Sequence, residues 1–253
     1  MSWSSSRQLV YGSVFLLIVL VLVGVPSYFI FFNKPQTCFD GKMNQNELGI
    51  DCGGSCVKAC IGEVIPEPII LWSRAFKVTD GKYNLVAYVQ NANVNYISEP
   101  AEYSFKVYDK DNVLIGLREG YMTVPPVKSY PIFEQGFDTG ERIPAKVLFQ
   151  FNQQVTWNKY GFSRPELSVS EPLLTRATTT PRIEAKVINN TLARFENIEV
   201  VVVVYGAGDN AIAASRTFVP VLQSRSEVPI VFTWPESFTQ AVSKIEIIPK
   251  LKF

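Results

Sequence analysis

The sequence predicts an all-β protein in which two tandem β-sandwiches follow an N-terminal transmembrane helix and a small disulfide-rich module. Three observations lead to this fold class: an unbroken apolar run, a cluster of all the cysteines directly after it, and a strand-like internal repeat over the rest of the chain. The predicted boundaries are 1–8 for a cytoplasmic tail, 9–32 for the helix, 33–62 for the module, 63–163 for the first sandwich and 164–253 for the second.

The apolar run extends from Leu9 to Phe32 and contains no charged side chain. A helix that crosses a bilayer needs about 20 such residues, whereas the apolar core of a cleaved secretory signal has roughly 7–15. The segment SYFIFFNKPQ at the end of the run offers no small-residue cleavage site. The sequence therefore favours an uncleaved, single-pass anchor, with a cleaved signal as the alternative.

The four cysteines are spaced C-x13-C-x3-C-x3-C, at Cys38, Cys52, Cys56 and Cys60. Structural zinc sites usually pair cysteines at both ends of the site, and Cys38 stands alone. Two disulfides are therefore favoured over zinc, and the sequence leaves all three possible pairings open.

The orientation of the helix is predicted from these cysteines. Charge does not decide it, because Arg7 on one side is balanced by Lys34 and Lys42 on the other. Clustered cysteines after an anchor indicate an oxidising compartment. We expect a plasma-membrane protein whose C-terminal body lies outside the cytoplasm.

Oxygen-bearing side chains lie between the first two cysteines, at Asp40, Asn44, Glu47 and Asp51. Calcium takes about six to eight oxygen ligands on a flexible loop, so these residues are candidate calcium ligands. The alternative is that the same side chains only form turns by bonding to nearby backbone groups.

The cysteine segment resembles a short motif of bacterial surface proteins, C-x-D-G-x-x-N-x-x-E-x-G-x-D-C-G-G-x-C. The resemblance implies an extracellular, disulfide-stapled module next to β-sandwich repeats, and it implies no activity. The matching residues are Cys38, Asp40, Gly41, Asn44, Glu47, Gly49, Asp51, Cys52, Gly53, Gly54, Cys56 and Cys60.

The rest of the chain repeats itself at an offset of about 98 residues, the size of one immunoglobulin-like sandwich. Apolar and polar residues alternate with period two in each copy, and turn signals separate about six strands per copy. The junction is predicted near Tyr160–Pro165. Matched pairs include Leu85 with Ile183, Ala87 with Ala185, Asn91 with Asn189, Ile132 with Ile230, and, after a slip of one residue, Phe105 with Val202.

The first copy carries Phe105-Lys106-Val107-Tyr108-Asp109. This run resembles the signature of the FxLYD-type bacterial surface domain, with valine for leucine. The second copy keeps only Val202-Val203-Val204-Tyr205-Gly206 at this place. The resemblance implies extracytoplasmic β-sandwiches without catalysis.

Five consecutive valines, Val200 to Val204, form the most apolar strand of the second copy. The repeat places Val201 and Val203 on the outward face, where the first copy has Ser104 and Lys106. A strand that is apolar on both faces is normally covered on both. Either a loop of its own domain covers this face or a partner binds there through Val201 and Val203.

Composition limits the possible functions. Lys plus Arg total 24 and Asp plus Glu total 23, a balance that predicts no nucleic-acid partner. The absence of histidine excludes Ser-His-Asp catalysis and imidazole metal ligation. We expect a non-catalytic interaction or scaffold protein of a prokaryotic cell envelope, bound to the membrane and to a protein or an envelope polymer. The alternative is an accessory subunit of a membrane enzyme or of a secretion or assembly complex.

Overall fold

The computed structural model describes residues 3–32, 37–60, 65–93, 95–127, 129–161 and 167–251. The chain divides into two compact units, Met1–Cys60 and Ile61–Phe253. The predicted module and sandwich boundaries at 62–63 and 163–164 fall on residues outside the described ranges.

The first unit begins with an apolar helix. It consists of α1 (Trp3–Val19), a π-helical turn (Leu20–Gly24) and α2 (Val25–Phe32). The π turn lies just before Pro26, whose ring lacks the N–H that an α-helix would pair with the Leu22 carbonyl. By length and composition, residues Val10–Tyr28 are apolar enough to cross a membrane.

Two disulfides hold the segment after the helix together, Cys38–Cys56 and Cys52–Cys60. The backbone turns sharply at Gly54, which has φ +53°. A Cβ at Gly54 would lie 1.7 Å from the backbone oxygen of Asn46, so only glycine fits there. The prediction of two disulfides is confirmed, and the structure fixes their pairing.

The first sandwich is built from two three-stranded antiparallel sheets, with strand orders β1-β2-β6 and β5-β4-β7, and a separate β3-β8 pair. Its strands are β1 (Ile69–Thr79), β2 (Lys82–Gln90), β3 (Tyr96–Ser98), β4 (Ala101–Tyr108), β5 (Leu114–Met122), β6 (Ser129–Asp138), β7 (Lys146–Phe151) and β8 (Trp157–Lys159).

The second sandwich has a sheet ordered β10-β11-β14, with β9 also paired to β11, and a sheet ordered β13-β12-β15. A 3₁₀ turn at Ala207–Asp209 joins β12 to β13. The strands are β9 (Ser168–Val169), β10 (Leu173–Thr175), β11 (Arg182–Asn189), β12 (Phe195–Tyr205), β13 (Ala211–Leu222), β14 (Ser226–Thr233) and β15 (Lys244–Lys250). The all-β prediction of two tandem sandwiches is confirmed.

The strand registers of the two copies coincide. Ala87 pairs with Ile132 in the first copy, and Ala185 pairs with Ile230 at the equivalent place in the second. The strand pairs β4–β5 and β12–β13 even share a register irregularity, located immediately before Tyr108 in one and before Tyr205 in the other. Because register is set by which residues are buried, the sequence repeat corresponds to a duplicated architecture.

The matched asparagines Asn91 and Asn189 do the same work in both copies. Each is fully buried and donates its side-chain amide to the equivalent backbone carbonyl oxygen, that of Pro125 for Asn91 and that of Gln223 for Asn189. Asn189 also donates to the Ala193 carbonyl oxygen. Asn189 begins an Asn-Asn-Thr glycosylation pattern. Since the Asn189 amide nitrogen is buried and already donates two hydrogen bonds, this asparagine has a structural role and offers no site for a glycan.

The two sandwiches dock through different sheets. The outer face of β1-β2-β6 in the first copy packs on the outer face of β13-β12-β15 in the second. By the repeat, β2 corresponds to β11 and β4 to β12, so the docking faces are not equivalent. The result is four stacked layers, with the inter-sandwich interface in the middle.

Candidate functional site

The four predicted calcium ligands belong to one hydrogen-bonded network in the cysteine-rich module. The Asn44 side-chain amide donates to Asp40 Oδ2 at 2.9 Å. Glu47 Oε2 accepts the backbone N–H groups of Asn44 and Asp51 at 3.0 and 3.3 Å. The Asp51 carboxylate accepts the N–H of Gly41 at 3.0 Å. These contacts are the turn-forming bonds of the alternative hypothesis.

Two features of the same network suit a cation. The hydrogen bond from Asn44, assisted by the backbone N–H groups of Lys42 and Thr37, lowers the pKa of Asp40 and keeps it ionised. Asn44 Oδ1 is buried and accepts no hydrogen bond among the described residues. It is an oxygen that a metal ion could take without displacing a donor. Calcium at Asp40, Asn44, Glu47 and Asp51 therefore stays a prediction.

A second cluster of possible metal ligands, Cys38, Glu47 and Cys56, brings its donor atoms within 4.8 Å of one another. Both sulfurs belong to one disulfide, so neither is a thiolate. Cys56 Sγ lies 3.1 Å from Glu47 Oε1 and has no hydrogen to donate. This cluster is the buried centre of the module and does not bind metal while the disulfide is intact.

Calorimetry tests the calcium prediction. For a fragment beginning at residue 34 with intact disulfides, we expect a Kd on the order of 10⁻⁴–10⁻³ M, as in extracellular modules. Asp40→Ala and Asp51→Ala should each weaken binding by roughly tenfold, because each removes a charged ligand. Asp111→Ala, an exposed aspartate in a sandwich turn, is the matched control and should change nothing. No heat at millimolar calcium would leave turn formation as the only role of these side chains.

The interface between the sandwiches accounts for the valine run. Val201 and Val203 point away from the core of their own sandwich, as predicted, and both are fully buried. Their cover is the first sandwich, so the assignment of these two valines to an external partner is corrected. The buried residues of this interface are Phe76, Val86, Tyr88 and Phe133 from the first sandwich and Val201, Val203, Tyr205, Ala211 and Ala214 from the second.

Sequence reasoning missed the first-copy half of this interface. The signal was present in β2, where Leu85 to Val89 is apolar at both parities, like the valine run. Trp72 stacks on Tyr88 with ring centroids 5.4 Å apart, which extends this face along β1. Two strands with a second apolar face, one in each copy, indicate that the copies cover one another.

Polar bonds fix the geometry of the interface. Glu246 accepts the Tyr88 hydroxyl at 2.9 Å and the Tyr205 hydroxyl at 3.0 Å, so one carboxylate links the two sandwiches. Arg216 lies 5.3 Å from the ring centroid of Phe133 and pairs with Glu199 at 3.1 Å. Glu246 and Arg216 are partly exposed, and their bonds to Tyr88 and to Gln135 of the first sandwich favour one particular docking of the sandwiches. The Arg216 Nε is buried and has no hydrogen-bond partner among the described residues.

Tyr88 and Tyr205 lead us to expect that the free energy of unfolding falls at alkaline pH. Burial, followed by the nearby Glu246 charge, raises the pKa of Tyr88 and of Tyr205. A phenol with a raised folded-state pKa contributes full stability below its unfolded pKa of about 10 and loses it as pH rises further. We expect the free energy of unfolding to fall above about pH 10, and to fall less steeply in Tyr88→Phe. Urea unfolding at pH 8 and pH 11 measures this, with exposed Tyr121→Phe as control; equal slopes for Tyr88→Phe and wild type would refute it.

A cleft of about 520 Å³ opens where the two sandwiches meet. Arg74 and Lys146 line it, and none of the described lining residues carries a carboxylate. Arg74 reaches across the junction to donate to the Ala211 carbonyl oxygen at 3.0 Å and to the Asn210 side chain. The cleft exists only when the sandwiches are docked. The remaining polar lining consists of Ser73, Thr239 and Gln240, together with Asn210.

Among the residues that the structure describes, every resolved pKa shift is away from neutrality. Hydrogen bonds and ion pairs lower the pKa of Asp40, Asp80, Asp109 and Asp138 and raise that of Lys77, and burial raises the pKa of Tyr88, Tyr103, Tyr130 and Tyr205. A general acid or base is tuned in the opposite direction, toward the operating pH. These shifts are typical of structural ion pairs and buried phenols.

Comparison with known proteins yields no family model and no curated protein that matches this sequence. Among solved structures, a red sea bream transglutaminase is similar over 72% of this chain and 29% of its own, at 10% identity and a TM-score of 0.27. The calcium-binding domain CBD12 of CALX1.1 is similar over 67% of this chain and 74% of its own, at 16% identity and a TM-score of 0.20. Neither similarity identifies an activity or a ligand for this chain.

Proposed function

We propose that this protein is a non-catalytic interaction or scaffold protein of a prokaryotic cell envelope, anchored by one helix with its FxLYD-type sandwiches outside the plasma membrane. The observation that carries the proposal is the docking of the two sandwiches through a buried, hydrogen-bonded interface. Because Val201, Val203 and the Glu246 bridge hold the two sandwiches together, the outer surface that they share is preformed. A preformed surface binds a partner without first losing conformational freedom.

The disulfides support the orientation. Cys38–Cys56 and Cys52–Cys60 follow the apolar helix directly, and disulfides persist in oxidising compartments. The body that follows them then lies on the same side of the membrane. The pKa displacements away from neutrality and the lack of histidine in the sequence support a role without catalysis.

The open cleft between the sandwiches is the proposed binding site for the partner. It lies at a domain junction, as many binding sites do, and its charged lining residues, Arg74 and Lys146, are both positive. A partner with carboxylate or phosphate groups, such as an acidic envelope polymer, suits this lining. Arg74 has further guanidinium N–H groups to offer beyond its bonds to the second sandwich.

Affinity purification from native membranes tests the proposal against the accessory-subunit alternative. Full-length wild type, a variant with residues 9–32 replaced by an unrelated apolar helix, and Lys146→Glu serve as baits. We expect the helix replacement to keep its partners and Lys146→Glu to lose them. Loss of partners on helix replacement alone would favour an accessory subunit that is recognised within the membrane. Exposed Lys110→Glu, in a turn outside the cleft, is the matched charge control.

A further inference from the structure

The cysteine-rich module buries a carboxylate and exposes its apolar side chains. Its buried centre holds Cys56 and the Glu47 carboxylate, at 1% and 5% exposure. In the described residues 37–60, the large apolar side chains face solvent: Phe39 is 91% exposed, and Met43, Leu48, Ile50 and Val57 lie between 61% and 64%. A small domain that is stapled by two disulfides needs little apolar core. These side chains are therefore free to serve a contact outside the module.

The disulfides and turn bonds hold these side chains in place. Phe39 and Val57 each directly follow one half of the Cys38–Cys56 disulfide, whose Cα atoms are 5.6 Å apart. Consecutive Cα atoms are about 3.8 Å apart, so the Phe39 and Val57 backbones lie within about 13 Å of each other. Ile50 is followed by Asp51, whose N–H donates to Glu47. Turning these side chains inward would require breaking the Cys38–Cys56 disulfide or the hydrogen bond from Asp51 to Glu47.

The length of the chain indicates what they contact. The apolar helix ends at Phe32, and Cys38 follows only six residues later. Extended chain spans at most about 3.5 Å per residue, so the module begins within about 20 Å of the end of the helix. The headgroup layer of a bilayer starts where the hydrocarbon core ends. Any membrane that holds the helix therefore lies beside the module.

Two exposed lysines of the module suit contact with lipid phosphates. Lys42 and Lys58 are exposed, and neither ammonium group forms an ion pair among the described residues. The carboxylates of Asp40, Glu47 and Asp51 are instead occupied by backbone N–H groups within the module. Neutral N–H donors leave the carboxylate charges in place, so residues 37–60 carry three negative and two positive side chains. Only the two ammonium groups suit contact with lipid phosphates.

We propose that the module lies on the outer leaflet, with Phe39, Ile50 and Val57 inserted among the lipid headgroups and with Lys42 and Lys58 against their phosphates. This inference rests on the proposed membrane anchoring. It makes the module a second membrane contact beside the helix, and two adjacent contacts restrict the rotation of the anchored segment more than a single helix does.

Photo-crosslinking of the full-length chain tests this inference. The chain carries p-benzoylphenylalanine at Phe39 or at Ile50 and is reconstituted in vesicles of phosphatidylcholine and phosphatidylglycerol. Ile143 and Leu192 on the sandwiches are the matched controls, because their exposures of 73% and 77% lie between those of Ile50 and Phe39. Leu16 in the helix is the insertion control. After irradiation, mass spectrometry should find lipid adducts at Phe39 and Ile50 at least tenfold above those at Ile143 and Leu192.

The outcomes separate the two hypotheses. Lipid adducts at Leu16 with only protein adducts, or none, at Phe39 and Ile50 would overturn the lipid contact and leave the anchor in place. No lipid adducts at Leu16 would overturn the anchor and the lipid contact together. Lys42→Gln with Lys58→Gln should lower the adduct yield at Phe39 in the mixed vesicles and leave it unchanged in pure phosphatidylcholine. An unchanged yield in both would remove the two lysines from the contact.

Discussion

Val201→Lys is expected to destabilise the two docked sandwiches by about 3–5 kcal/mol, because it buries a charge without a partner. Val201 is fully buried between the sandwiches, and its cross-strand neighbour in β13 is Arg216, so the new ammonium would meet a like charge. For a chain of this size, each kcal/mol lowers Tm by roughly 2–4 °C. The expected result is a large drop in Tm, with one unfolding transition replaced by two as the sandwiches separate.

Thermal unfolding of the detergent-solubilised full chain measures this, with two lysine variants for comparison. Val202→Lys places the charge in the core of the second sandwich and should be equally damaging. Val231→Lys places it on the opposite, exposed sheet beside Glu184 and should be nearly neutral. If Val201→Lys behaved like Val231→Lys, the sandwiches would not be docked in solution, and the interface described above would be wrong.

Removal of the Cys38–Cys56 disulfide is expected to unfold the module. A disulfide typically contributes about 2–5 kcal/mol in a small secreted domain, and the apolar side chains of this module are exposed and contribute no core. In Cys38→Ala with Cys56→Ala, amide hydrogens of residues 37–60 should exchange freely. The sandwiches belong to a separate unit, so their exchange should stay as in wild type.

Cys52→Ala with Cys60→Ala is the matched control. This disulfide spans 8 residues and Cys38–Cys56 spans 18, so its removal should release less chain entropy and leave partial protection. Non-reducing peptide mapping of wild type should first show both pairs. Slow exchange of residues 37–60 without the Cys38–Cys56 disulfide would mean that the hydrogen-bond network around Glu47 suffices.

The sequence predicts the interior of each sandwich well, because burial on one face leaves a period-two pattern that Phe105 and Val202 follow. The repeat likewise predicts the shared strand registers. The strand pattern does not reveal what covers the outer face of each sandwich. Periodicity shows that Val201 and Val203 have an apolar outer face, and it does not say whether a loop, a partner or the other copy covers that face.

The module shows the same division. The cysteine spacing predicts two disulfides, but loop-closure entropy grows only slowly with loop length, so it does not select one of the three pairings. The spacing of Asp40, Asn44, Glu47 and Asp51 predicts that they act together, and the structure places them in one network. Carboxylates that accept N–H groups and carboxylates that bind calcium are the same residue types, so sequence does not separate the two roles.

The use of different sheets for docking means that the tandem could in principle grow. Such a head-to-tail contact leaves an unused copy of each docking face at the two ends, and a third unit could add by the same operation. In this chain the two undocked faces carry different residues. Glu184 and Lys186 stand where the docked sheet has Val86 and Tyr88, and Lys106 stands where the other docked sheet has Val203. Polar residues on such a face favour contact with water over contact with another sandwich, as they do in the terminal units of repeat arrays.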